Sequence, residues 1–257
     1  DVKLYNKPSG ILNTSIVDGF SKKVYLNGNI VQNENSIEMK NKMIGELDPI
    51  ELFNVYILMG NFCIFMQDKG ITKFYAEKFE LDKEFIARNV FGTVQFIQFQ
   101  VFIAVFVNAV SVKQHEWALR FLNDFEGMLD PSSRKYTTGY CMAEYYFSLG
   151  LRGESLAQLA KTNFEFSQLK QLEKNLRLKI YFESGAYENA LSLLETSKKQ
   201  LAREKEMSQK IKELHLRFLK YYELLLKIYA NSPGHNENNY SELIFRIQNE
   251  ENFSNKQ

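Results

Sequence analysis

Cysteine, proline, tryptophan and histidine are all scarce in this chain of 257 residues: it holds 2 Cys, 4 Pro, 1 Trp and 3 His. Two cysteines, Cys63 and Cys141, build no disulfide framework, and both fall in apolar stretches, where they read as buried thiols of a reducing compartment. Few prolines leave long helices uninterrupted. A charge excess of one sign is missing too. Lys/Arg and Asp/Glu are interspersed and nearly cancel to a net +1, which argues against a nucleic-acid surface built from clustered basic residues. The longest apolar stretch, Val94 to Val112, is broken by Gln95, Gln98, Gln100 and Asn108. A spanning helix needs about 20 nearly unbroken apolar residues, so this stretch reads as a buried central helix, and no membrane insertion is expected.

Catalytic and metal-binding patterns are equally thin. His115-Glu116-Trp117-Ala118-Leu119 opens like a zinc protease helix, yet Leu119 stands where the second histidine must be. Two histidines four apart are required for one zinc to be gripped from one helix face. None of His115, His215 and His235 has a Glu three residues before it, which excludes the Glu-x-x-His of helical di-iron sites. Phosphate-binding glycine loops, dinucleotide glycine patterns and nucleophile elbows are missing. No metal, cofactor or catalytic residue is expected, and the chain reads as a non-enzyme.

What is present is helix punctuation. Asp48-Pro49-Ile50-Glu51 places an acid at an N-cap, Pro at the first helical position and Glu in the first turn. The helix it starts should run to about Asp68 and end at Gly70. Asp130-Pro131 repeats the signal, with a stop at Gly150. Asp82 is placed as the cap of a short helix over 83–89, and Gly92-Thr93 as a break before the apolar helix. Ser232-Pro233-Gly234 ends a long helix spanning about 203–230 and leads to a short one near 240–248. Residues 1–40 are poorly readable, 41–231 form the helical domain, and 232–257 are a turn, a short terminal helix and a frayed tail. The chain opens at Asp1 rather than at a methionine and reads as part of a longer cytoplasmic protein, with the array expected to continue upstream.

The most informative feature is repetition. Tyr181-Phe182-Glu183-Ser184-Gly185-Ala186-Tyr187-Glu188-Asn189-Ala190-Leu191 has a counterpart 35 residues upstream, from Tyr146 to Leu156. The aromatic pair, the glycine, a small residue (Ser155 for Ala190) and a leucine coincide. His115 to Leu119, a further 37 residues back, is a third copy with Ala118 as the small residue. In each copy a leucine follows the small residue by four: Leu122, Leu159 and Leu194. Small residues let a second helix approach the first closely, and the leucine one turn on fills the space beside it. The pattern predicts an all-α array of antiparallel helical hairpins, with a long C-terminal helix and a short capping helix.

This pattern resembles the tetratricopeptide (TPR) repeat family, through Tyr146, Ser155 and Leu159, then Tyr181, Ala190 and Leu194, and in the first copy Ala118 and Leu122 behind Ala109. The resemblance implies a TPR-like α-solenoid that binds a protein or peptide without catalysis. Its register places Thr137, Tyr140, Glu144, Asn175, Lys179 and Phe182 on a concave ligand groove. Asn175 and Lys179 have chemistry that suits a terminal carboxylate, and Glu144 opposes it. The alternatives are a peptide-sensing module of a larger regulator, and an enzyme with no recognisable motif. Met207, Ile211, Leu214, Phe218, Tyr221, Leu225 and Ile228 form a heptad row beside a second row of Leu219, Tyr222, Leu226 and Tyr229. Two covers are expected for so broad a face. One is the preceding helix, through Leu191 and Leu194; the other is the terminal helix, through Leu243, Phe245 or Ile247, or a second copy of the chain as a homodimer through the 203–230 helix. The missing ligand sets yield a direct expectation: elemental analysis of the purified chain finds no stoichiometric zinc or iron, and one transition metal per chain would contradict it.

Overall fold

A computed structural model describes residues 47–68, 70–88, 95–205, 207–231, 241 and 243–245. Among the described residues the chain is all-α, with no strand beyond an isolated bridge between Ile97 and Leu129. The order is α1 (Pro49–Asp68), α2 (Lys73–Ala87), α3 (Phe99–Ser111), α4 (His115–Phe125), a 3-10 turn (Glu126–Met128), α5 (Pro131–Ser148), α6 (Arg152–Thr162), α7 (Ser167–Glu183), α8 (Tyr187–Arg203) and α9 (Gln209–Asn231).

Both predicted start signals operate as caps. Asp48 Oδ1 accepts from the amides of Ile50 (2.8 Å) and Glu51 (2.9 Å), and the Glu51 carboxylate accepts back from the Asp48 amide at 3.2 Å. This reciprocal box satisfies donors that the first turn leaves open. At α5 the Asp130 carboxylate takes the Ser132 amide at 2.8 Å. The third expected start is a correction. Asp82 caps nothing; it lies inside α2, buried, with Lys78 one turn earlier and Asn108 of α3 as partners. With its charge paired inside the fold, the helix runs on to Ala87.

Four turns share one hydrogen-bond pattern: at Gly70 (φ 78°) the Gly70 and Ile71 amides reach back to the Gln67 and Met66 carbonyls at 2.8 and 3.1 Å, and in the other three a buried small residue follows. The amides of Gln114, Leu151 and Ala186 each reach back five residues, to the carbonyls of Ala109, Tyr146 and Tyr181, all at 2.9 Å. Those of Lys113, Gly150 and Gly185 reach back three, at 3.1, 2.9 and 3.1 Å. This is the Schellman closure, which needs a left-handed residue just past the helix end. Lys113, Gly150 and Gly185 supply it with φ of 64°, 76° and 70°. Five residues beyond each stand Ala118, Ser155 and Ala190, none with any exposed surface. The Ser155 hydroxyl donates to the Ala143 carbonyl across the α5–α6 contact at 2.8 Å. Leu122, Leu159 and Leu194 are buried as well, while Tyr146 and Tyr181 are half-buried.

Helices pack in consecutive pairs, α1 on α2, α3 on α4, α5 on α6 and α7 on α8, with α3 also against α5 and α9 against α8. Helices α5 and α6 approach closely. A Cβ added at Gly139 would lie 2.3 Å from Thr162 Oγ1 and 2.5 Å from Cγ2. One apolar cluster, from Tyr56 to Ile180, includes Phe102, Phe106, Leu129 and Leu169; a second joins Leu178, Ala190, Leu194, Leu219, Tyr222 and Leu226. Helix α7 serves both, with Leu176 and Ile180 in the first and Leu178 in the second.

The apolar stretch expected as one central helix is helical only from Phe99, and seven of its residues, including Phe102, Phe106 and Ala109, are buried. Before it Ile97 pairs with the backbone of Met128 at 2.8 Å. The long helix expected over 203–230 also needs correction. Glu204 is extended, and α9 starts only at Gln209, with the Ser208 hydroxyl accepting from the Ile211 amide. Met207, the first of the expected row, is buried in the break between helices. Of the two rows, the second faces the core through Leu219, Tyr222 and Leu226, whereas Leu214 of the first is exposed. Leu194 covers this face and Leu191 does not. Leu243 is buried and Phe245 exposed; Ile247, Gly92-Thr93 and His235 lie outside the described residues, as do residues 1–40.

The equivalence of the turns is testable by exchange. Lys113 occupies a left-handed position that costs an L-residue about 1–2 kcal/mol. Lys113→Gly should therefore leave stability unchanged or raise it by up to about 1 kcal/mol, after the flexibility cost of glycine, whereas Gly150→Ala should lower it by about 1 kcal/mol. Urea unfolding of both variants checks the opposite signs.

Candidate functional site

Of the six residues expected along one groove, three are buried, two half-buried and one exposed. Thr137, Tyr140 and Glu144 on α5 are buried. Thr137 folds its hydroxyl back onto the Ser133 carbonyl at 2.9 Å, and the Tyr140 hydroxyl donates to the Glu144 carboxylate. Burial first, and then that carboxylate, push the Tyr140 phenol well above its ordinary range. These residues are core, because α5 is packed by α3, α6 and α7 at once and has little free flank. Cys141, between them, is a buried thiol pushed up mainly by burial, and burial likewise pushes Cys63 up to about 11.

The other three, on α7, lie along the seam with α9. The Asn175 amide is 3.3 Å from His215 Nδ1 and accepts from Gln171 at 3.0 Å. Burial holds His215 below its usual range. Phe182 packs on Tyr229, Tyr187 and Tyr222, with ring centroids 5.2, 5.9 and 6.2 Å away. Lys179 alone of the six is exposed. Near the start of α7, Lys170, Gln171 and Lys174 line a polar cavity of about 270 Å³ with Gln200 and Glu204. Burial lowers the Lys174 pKa, and Gln200 accepts from its ammonium.

Sequence reasoning passed over a second cluster, because one member, Asn108, comes from a different helix. Lys78 Nζ lies 2.6 Å from Asp82 Oδ1, both side chains being 7% exposed, and Asn108 Nδ2 donates to Asp82 Oδ2 at 3.1 Å. Burial raises the Asp82 pKa, against the opposing pull of Lys78 and Asn108. The signal in the sequence was the i, i+4 Lys78–Asp82 spacing inside an otherwise apolar face. The pair lines a cleft of about 190 Å³ between α1, α2 and α3, walled by Tyr56, Leu81, Phe85, Val101 and Val105. Gly60 on α1 makes room for the lysine stem: a Cβ there would meet Lys78 Cε at 3.4 Å.

The outer face of α1 is apolar and open. Ile50 is 71% exposed, Leu58 49% and Ile64 39%. Among the described residues Ile50–Gln67 is long and apolar enough to cross a membrane by length and composition, at a mean hydropathy of 1.4, and 22% of that window is buried. The basic run near 198–205 is a helix end in which Lys198 pairs with Glu223 of α9 at 2.5 Å. His115, at the start of α4, packs on the end of α5, with Ser148 Oγ 3.1 Å from Nε2 and its ring against Tyr145. Among the described residues no three of His, Cys, Asp and Glu gather as a metal set.

No protein family, curated protein or solved structure matches this chain.

The buried pair makes a specific energetic claim. Asp82→Leu leaves the Lys78 ammonium buried without a carboxylate and should cost about 3–5 kcal/mol, while Lys78→Met with Asp82→Leu should recover most of that loss. Chemical denaturation of the single and double variants measures the difference, and equal losses would show that the pair is not coupled.

Proposed function

We propose that this chain is a non-catalytic protein- or peptide-binding scaffold built as a TPR-like array of helical hairpins. The observation that carries the reading is the threefold pairing of turn and small residue. Left-handed residues Lys113, Gly150 and Gly185 each stand five positions before a fully buried small residue, Ala118, Ser155 and Ala190. The turn and the buried small residue behind it recur together three times, as a repeat architecture requires, since each unit buries its faces only against neighbours.

Two surfaces support binding as the use of such an array. The open stripe of Ile50, Leu58 and Ile64 on α1 is the kind of apolar surface that marks an interaction site. The α7–α9 seam offers Lys179 beside the half-buried Phe182 and Asn175. The peptide-sensing part of a larger regulator would use the same surfaces, with its output supplied elsewhere.

Selection of a random peptide display library on the purified chain tests the reading. A convergent motif should emerge whose synthetic peptide binds saturably in calorimetry. Leu58→Asp or Lys179→Glu should weaken it at least tenfold with helicity unchanged, and which of the two does so locates the site. A library that yields no saturable binder overturns the proposal.

A further inference from the structure

The cleft between α1, α2 and α3 combines features that a packing defect does not. Its walls are mostly apolar, with Asn61 and Gln100 as the uncharged polar members, and two ionic side chains that line it, Lys78 and Asp82, are more than nine-tenths buried. An ammonium carries three N–H donors. Among the described residues the acceptor that Lys78 reaches is Asp82 Oδ1, which leaves two donors without an acceptor beside the open space of the cleft. A buried donor left unmade is costly, and a buried ion pair holds its place only when its remaining hydrogen-bonding capacity is met. An acceptor is thus called for where the cavity lies.

Size and charge narrow what can supply it. Cavities of about 150 Å³ hold benzene, so about 190 Å³ admits a single ring with one small substituent. Lys78 and Asp82 cancel in charge, so a ligand carboxylate would be a second anion beside Asp82. A neutral carboxamide avoids that conflict. Its carbonyl accepts from Lys78, and its N–H meets the lone pairs that Asp82 keeps beyond the bonds from Lys78 and Asn108. Gly60 and Ala104 contribute least bulk among the lining residues and so keep the space open.

We propose that the α1–α2–α3 cleft is a binding site for a small, neutral, single-ring molecule bearing a carboxamide, held by the Lys78–Asp82 pair that lines it. The site does not rest on the scaffold reading: the repeat turns take no part in it, and of the open α1 stripe only Ile64 reaches its rim.

Benzamide, benzoate and toluene, three molecules of one ring size and different polar heads, are the probes. In titrations followed by NMR of the full chain, benzamide should bind saturably and shift the methyl signals of Val101 and Val105. Its affinity should exceed that of benzoate and of toluene at least tenfold. Ala104→Leu fills the cleft and should abolish the shifts. Should that variant fail to fold, Lys78→Met is read instead, and there the advantage of benzamide over toluene should disappear. No saturable benzamide binding, an equal affinity for benzoate or toluene, shifts that survive a folded Ala104→Leu, or an advantage over toluene that survives Lys78→Met overturns the proposal.

Discussion

Close approach of successive helices at Ala118, Ser155 and Ala190 is the constraint from which the rest of the packing follows. A side chain larger than serine at these positions would push the second helix of each pair off the first. The leucines one turn later, Leu122, Leu159 and Leu194, would then lose the contacts that bury them. The approach is only reachable because the chain reverses within a few residues, and the left-handed residue at each turn allows that. The Ser155 hydroxyl shows how tight the fit is: it finds its acceptor on the facing helix, at the Ala143 carbonyl. Gly139 against Thr162 extends the same contact along α5 and α6.

From that pairing comes the division of labour among surfaces. Helix α5, enclosed by α3, α6 and α7, has become core, and its polar residues turn inward to satisfy one another: Thr137 on the backbone, Tyr140 on Glu144. Helix α1, packed chiefly on α2, keeps a wide apolar flank open. Helix α7 stands between two apolar clusters and gives its remaining side to α9, through Asn175 and Phe182. Charge follows the same logic. Exposed pairs such as Arg152–Glu183 tie neighbouring helices weakly, whereas Lys78–Asp82 sits inside and ties α2 to α3 through Asn108.

Local chemistry was legible without coordinates. The Asp48-Pro49 and Asp130-Pro131 starts, the glycine stops at Gly70, Gly150 and Gly185, the repeat spacing and the all-α class depend on contacts within a few residues, which a linear reading contains. Where reading failed, a distant partner decided. Asp82 has the identity of a cap, but Lys78 and Asn108 make it an interior ion, and only the packing of α3 on α2 brings Asn108 there. The heptad spacing ran unbroken across 207–228, yet α8 ends at Arg203 and α9 starts at Gln209, because spacing records which residues are apolar and not whether the backbone between them stays helical.

The groove illustrates the same limit. Thr137, Tyr140 and Glu144 occupy the helix positions expected of them, and whether a helix face is open depends on how many neighbours surround it. Sequence determined the all-α class, the capped starts of α1 and α5, the glycine stops and the three-fold recurrence of turn and small residue, since capping and steric preferences act at short range. Tertiary structure alone decided which faces were covered, where an ion pair was buried and where space was left, because burial is a property of all the helices that meet at a point.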